Sequence, residues 1–139
     1  MVRFFGSFLL IILFSCSSEN ETNSIQNDFE LYEPSEMSAL MNHMYELNFQ
    51  LRSHIINGDS LGIFSPSFER ILSAKMTENK VMDDFFILHA NAFLESQRAI
   101  YKDQGNSKIL FNQSVNSCIE CHQVKCTGPI SKIEKLYIP

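Results

Sequence analysis

From residue 34 onward, apolar side chains recur at steps of three and four, the period of an amphipathic helix, and no stretch sustains the alternation of a strand. Met37, Leu40, Met41, Met44, Leu47, Leu51 and Ile55 form one continuous stripe. They predict a first helix over 35–57, opened by Pro34 and Glu36 and ended by Asn57-Gly58. Ser65 followed by Pro66 predicts a short second helix over 66–75, with Phe68, Ile71 and Leu72 on its buried side. A third helix is expected over 83–102, with an acidic first turn. Phe86, Ala90, Phe93, Gln97 and Ile100 share one of its faces, flanked by Phe85, Leu88 and Ala92. Asp103-Gln104-Gly105-Asn106 closes the next connection. Phe111, Val115, Cys118 and His122 then recur on the inward stripe of a fourth helix over 107–124. Gly128-Pro129 breaks the chain, and residues 130–138 are expected to add a final turn against the rest. Four helices with short loops predict an all-α domain, an antiparallel four-helix bundle.

The N-terminal quarter reads differently. Residues 1–15 have the form of a targeting segment: Arg3, then an apolar run over 8–14, far short of the roughly 20 apolar residues of a spanning helix. The run ends in Leu13-Phe14-Ser15-Cys16, which resembles the lipobox of bacterial lipoproteins. That resemblance implies cleavage before Cys16 and lipid on its sulfur, and two or more acyl chains give stable anchoring. The competing reading is an ordinary cleaved signal with a chance cysteine. Residues 16–33 are polar and read as a flexible tether. The organisation is therefore a signal segment 1–15, a tether 16–33 and one domain 34–139.

The formal net charge is −5, and removing residues 1–15 takes away one cation, Arg3, and no acid. This balance disfavours nucleic-acid binding. The chain has no Gly-rich phosphate loop, no G-x-S-x-G elbow and no paired carboxylates beyond those of helix surfaces, so hydrolytic or group-transfer chemistry is not expected.

Chemistry concentrates in Cys118-Ile119-Glu120-Cys121-His122, the attachment signature of a c-type haem. Each thiol adds across one vinyl group of the porphyrin. On a helix, Cys118 and Cys121 share a face at i and i+3, and His122 at i+4 can reach the iron from the same side. The rivals are a disulfide, a thioredoxin-like redox pair and a zinc site. The redox pair requires a β-α-β setting that the pattern lacks. A zinc site would use Cys118, Cys121, His122 and Cys126, but adjacent Cys121 and His122 suit one tetrahedral ion poorly. Haem c is attached outside the cytoplasmic membrane, so the export signal and the motif support each other. Of the four cysteines, Cys16 is expected to carry lipid and Cys118 and Cys121 haem, and Cys126 has no assigned role.

A haem motif near the C-terminus of the fourth helix resembles the class II cytochromes c, the cytochrome c-prime family. The resemblance spans about residues 34–124. It implies one covalent haem c inside a four-helix bundle, attached near the C-terminus of the last long helix. His122 would be the proximal ligand, and helix 1 would cover the distal face. Low-spin members place a methionine of helix 1 on the iron; high-spin members leave it open to small gases. Counting back from Gly58, the family's distal position falls at or next to Met41, with Met44 one turn further on. The chain departs from the family in its shorter second helix and in Gln123-Val124-Lys125-Cys126, where an aromatic-basic pair often follows the histidine. The tail residues Cys126-Thr127-Gly128-Pro129-Ile130 and Lys135-Leu136-Tyr137-Ile138 also resemble those of small monohaem lipoproteins. His43 is expected on the solvent side of helix 1, His54 in a structural role, and His89 half-buried and hydrogen-bonded. Phe85, Phe86, Phe93 and Phe111 are expected in the core, some against the porphyrin.

The expectation is a membrane-anchored monohaem electron carrier rather than an enzyme, facing the periplasm from a bacterial membrane. Its partners are redox proteins and, through the lipid, the membrane; a homodimer is compatible. Two alternatives stand beside it: a five-coordinate haem protein binding nitric oxide or carbon monoxide, and a haem subunit docked on a larger redox complex.

Overall fold

The computed structural model describes residues 33–139. The signal segment 1–15, Cys16 and the tether up to residue 32 lie outside the described residues. Three long helices carry the fold: α1 (Glu36–Asn57), α2 (Asp84–Lys102) and α3 (Ser107–Lys125). The Ser35 hydroxyl caps α1 by accepting from the Ser38 amide at 3.1 Å. Gly58 ends that helix in the left-handed conformation, φ 72°, which a residue without Cβ adopts at little cost. Asp83 caps α2, its carboxylate accepting from the Phe86 amide at 2.9 Å. Among the described residues there is no strand, and no helix is long and apolar enough to cross a membrane.

The second expected helix takes a different form. Residues Pro66–Leu72 make a 3-10 helix, on which Phe68 and Ile71, three positions apart, lie over one another and both face inward. The segment ends with the Ser73 and Ala74 amides both on the Arg70 carbonyl, and the backbone of Lys75 is then engaged by α1. The Lys75 amide donates to the Glu36 carboxylate at 3.1 Å, and its carbonyl accepts from the Met37 amide at 3.0 Å. Lys75 thus satisfies an otherwise orphaned donor in the first turn of α1. Three long helices and one tighter segment stand where four helices were expected.

Helix α3 runs antiparallel to α1 and α2. Asp83, before the start of α2, pairs with Lys125 at the end of α3, and Met37 and Met41 of α1 face that same end across a cavity. The interior has two apolar layers. One joins Met37, Leu40 and Met44 of α1 to Phe68, Ile71 and to Phe86, Ala90, Phe93 and Leu94 of α2. The other joins Leu51, Ile100, Phe111 and Val115 to the tail. Cys118 packs against both.

A buried polar cluster of Asn48, Gln97 and Ser114 marks the junction of the layers. On α1 it falls between Met44 and Leu51, and on α2 between Leu94 and Ile100. The Asn48 amide nitrogen donates to the Met44 carbonyl at 2.9 Å. A carbonyl only accepts, so the Asn48 oxygen must point the other way, where Gln97 Nε2 donates to it. Gln97 Nε2 also donates to the Ser114 hydroxyl at 2.9 Å. Asn48 therefore occupies the centre of the α1 stripe, and Met41, Leu47 and Ile55, expected in that stripe, lie half-buried at its edges.

The tail forms α4 (Ile130–Ile133) and a 3-10 turn, Glu134–Leu136, and its Ile133, Leu136 and Ile138 are buried. The Asn112 side chain accepts from the Ile138 amide and donates to its carbonyl, both at 2.9 Å. Arg52 Nε donates to the Tyr137 carbonyl at 3.3 Å. The expected final turn against the helices is present, and it straps α1 to α3. Phe111, fully buried where tail, α2 and α3 meet, is expected to be a sensitive position. Phe111→Ala should destabilise the domain by about 3–5 kcal/mol, read from the midpoint of urea unfolding.

Candidate functional site

The last turns of α3 carry Cys118, Cys121 and His122. They open onto two adjoining cavities of about 230 and 410 Å³ between α3, the first half of α1, the tail and the loop before α2. Cys118 lines the first cavity and Cys121 the second. His122 of α3 and Met41 of α1 line both, so they stand where the two cavities adjoin. Met44 is buried and lines only the first. Both cavities are walled mainly by apolar groups, including Leu136 and Ile133 in the first and Met37, Met76 and Phe86 in the second.

The orientation of His122 follows from the end of α3. Its Nδ1 lies 2.9 Å from the Cys126 carbonyl, and because a carbonyl only accepts, Nδ1 must carry the proton. In the neutral imidazole Nε2 then keeps its lone pair, the state required of a metal ligand. The Cys126 amide donates back to the His122 carbonyl at 3.0 Å, closing the turn. Cys126 therefore serves this site through its backbone, and its side chain is exposed.

Both motif thiols are hard to ionise. Burial pushes Cys118 up to about 12, helped by the neighbouring Cys121 thiol. Burial also raises Cys121, against the opposing pull of the Lys125 ammonium. Reactive dithiols instead have depressed values, often at a helix N-terminus; these two sit near a C-terminus, where the helix dipole disfavours a thiolate. Cys118, Cys121 and Cys126 are free thiols. Among the described residues no three His, Cys, Asp or Glu side chains are grouped to hold a metal ion, so the four-ligand zinc arrangement has no preformed geometry.

Lys125 closes one edge of the site. It pairs with Asp83 and lies 5.6 Å from the centre of the Phe85 ring. The Lys125 hydrogen bond first, and the Phe86 amide second, hold the Asp83 carboxyl below the usual range. His43 and His54 are exposed, away from both cavities. His89 is half-buried, stacks on Phe85 at 3.9 Å and bonds its carbonyl at 2.9 Å, as expected of it. Of the four phenylalanines expected in the core, Phe86 alone lines a cavity, and Phe85 is half-buried.

Met76, Pro129 and Lys132 were not foreseen as walls of the site. Met76 lies in a loop without periodicity, and the tail is too short to show which side it turns inward. Comparison with protein-family models, curated proteins and solved structures finds no match.

The Asp83–Lys125 pair should make stability depend on acid. A carboxyl depressed in the folded state stabilises above its unfolded value, about 3.9, and that contribution is lost as pH falls through the folded value. Asp83→Asn should therefore melt below the wild type at pH 7, and the gap should close as both are titrated into acid in thermal melts.

Proposed function

We propose that the chain is a lipid-anchored, monohaem c-type cytochrome of the class II kind that carries single electrons. In this reading Cys118 and Cys121 hold one haem c covalently, His122 is the proximal iron ligand and Met41 the distal one. The observation that carries it is that His122 and Met41 both line two adjoining apolar cavities, each reached by one motif thiol.

The donor set fits a covalently held haem. Cys118 and Cys121 would each hold it by adding across a vinyl group, with an S–C bond formed, the thiol hydrogen passing to the other vinyl carbon and no net oxidation. The Cys126 carbonyl fixes the imidazole tautomer that leaves Nε2 free. When bound, the haem supplies the ferric/ferrous couple. The Met41 thioether favours the ferrous state, and Met37, Met76, Phe86 and Leu136 exclude water, both of which raise the potential. Exposed Val81 and Val124 at the second cavity offer apolar surface to a redox partner. The fold in this reading is a four-helix bundle whose second member is reduced to the 3-10 helix Pro66–Leu72.

Expression in a bacterium with haem-attachment machinery tests the proposal directly. A haem-stained band should survive denaturing electrophoresis and fractionate with membranes, and Cys16→Ser should release it or leave it unprocessed. Complete extraction of the haem by acid-acetone would end the reading.

The distal ligand is tested by substitution. Met41→Ala should turn a low-spin reduced spectrum high-spin, lower the potential and admit carbon monoxide. Met44→Ala, at a buried position, should cost about 2–5 kcal/mol with little spectral change. A high-spin wild type would replace electron transfer with gas binding.

A further inference from the structure

The charge around the two cavities runs against the charge of the chain. Aspartate and glutamate number 16 against 11 lysines and arginines, yet the cavity walls include no carboxylate. They include Lys132 in the first cavity and Lys80 and Lys125 in the second. Lys125 is committed to Asp83. Lys132 and Lys80 belong to none of the ion pairs among the described residues. Lys132 instead lies 4.1 Å from the centre of the Tyr45 ring and 3.4 Å from the Asn42 side-chain oxygen. Lys80 donates to the Lys125 carbonyl at 3.2 Å. Each ammonium has three donors, so both retain hydrogens for a further acceptor.

An unpaired cation beside an apolar wall is matched by an anion at the edge of an otherwise apolar occupant, and the low dielectric of such a wall strengthens the attraction. Resting on the haem reading above, we propose that Lys132 and Lys80 receive the two carboxylates of the bound tetrapyrrole, one at each cavity. The carboxylates of haem lie on the side of the macrocycle away from its vinyl groups. Lys132 is on the tail and Lys80 on the loop before α2, neither on the helix that carries the thioether cysteines. By neutralising the carboxylates, the two ammonium groups favour the ferrous state and raise the potential.

The test uses the mature protein with its haem attached. The readouts are the carboxylate-chain bending bands in the resonance Raman spectrum and the midpoint potential. Lys132→Gln and Lys80→Gln should each shift those bands and lower the potential. Lys132→Arg should keep both near wild type, and Lys135→Gln, at an exposed position lining neither cavity, should change neither. If both glutamine variants carry covalent haem with wild-type bands and potential, the assignment is overturned while the haem reading stands. A response from one lysine alone overturns the two-point assignment. A wild type without covalent haem overturns the haem reading, and this inference with it.

Discussion

The hydrogen-bonded cluster of Asn48, Gln97 and Ser114 fixes how far along its axis α1 sits against α2 and α3, and the site depends on that register. Buried polar groups left without partners cost about 1–3 kcal/mol each, so a displaced register would be penalised at several atoms at once. The directions are also determined: the Met44 carbonyl dictates the Asn48 amide, which dictates the Gln97 amide. A shift of α1 by one turn, about 5.4 Å, would break this chain and move Met41 away from His122. Purely apolar layers on either side could tolerate such sliding far better, since dispersion contacts are not directional.

The same arrangement separates two functions within one small interior. The layer that includes Leu51, Ile100, Phe111 and Val115 is closed by the tail, which Asn112 and Arg52 hold by its backbone. The layer that includes Met37, Leu40 and Met44 adjoins the open cavities. Cys118 touches both layers, so the residue that begins the motif is also the one most firmly built into the core. Its neighbours three and four positions on lie progressively nearer the end of α3, where the helix gives way to the turn that orients His122.

Much of this was legible in the sequence because it is local. The long helices at 36–57, 84–102 and 107–125 follow from apolar steps of three and four, with Pro34 and Glu36 opening the first, Gly58 closing it and acidic residues in the first turn of the second, and these signals act within a few residues of each other. The 3-10 segment was not legible as such. Pro66, Phe68 and Ile71 fit an α-helix equally well, and the backbone of Lys75, just beyond the segment, is held by Glu36 and Met37 of α1, distant in the chain. The buried face of α1 was nearly right, but periodicity counts apolar residues and passes over Asn48, whose burial depends on a partner 49 positions away.

The sequence by itself determined the chemistry of the motif: Cys118, Cys121 and His122 at i, i+3 and i+4 share a helical face whatever surrounds them. It also determined the helical class and the candidate methionines. Only the tertiary structure decided that Met44 is buried and lines one cavity while Met41 is half-buried and lines both, a difference set by how α1 packs on its neighbours. It alone brought Lys132, Pro129 and Met76 to the cavity walls, from a tail and a loop with no periodicity to read. The physical reason is the range of the interactions: spacing along a helix fixes neighbours within a turn or two, while the position of one helix against another is set by contacts between residues far apart in the chain.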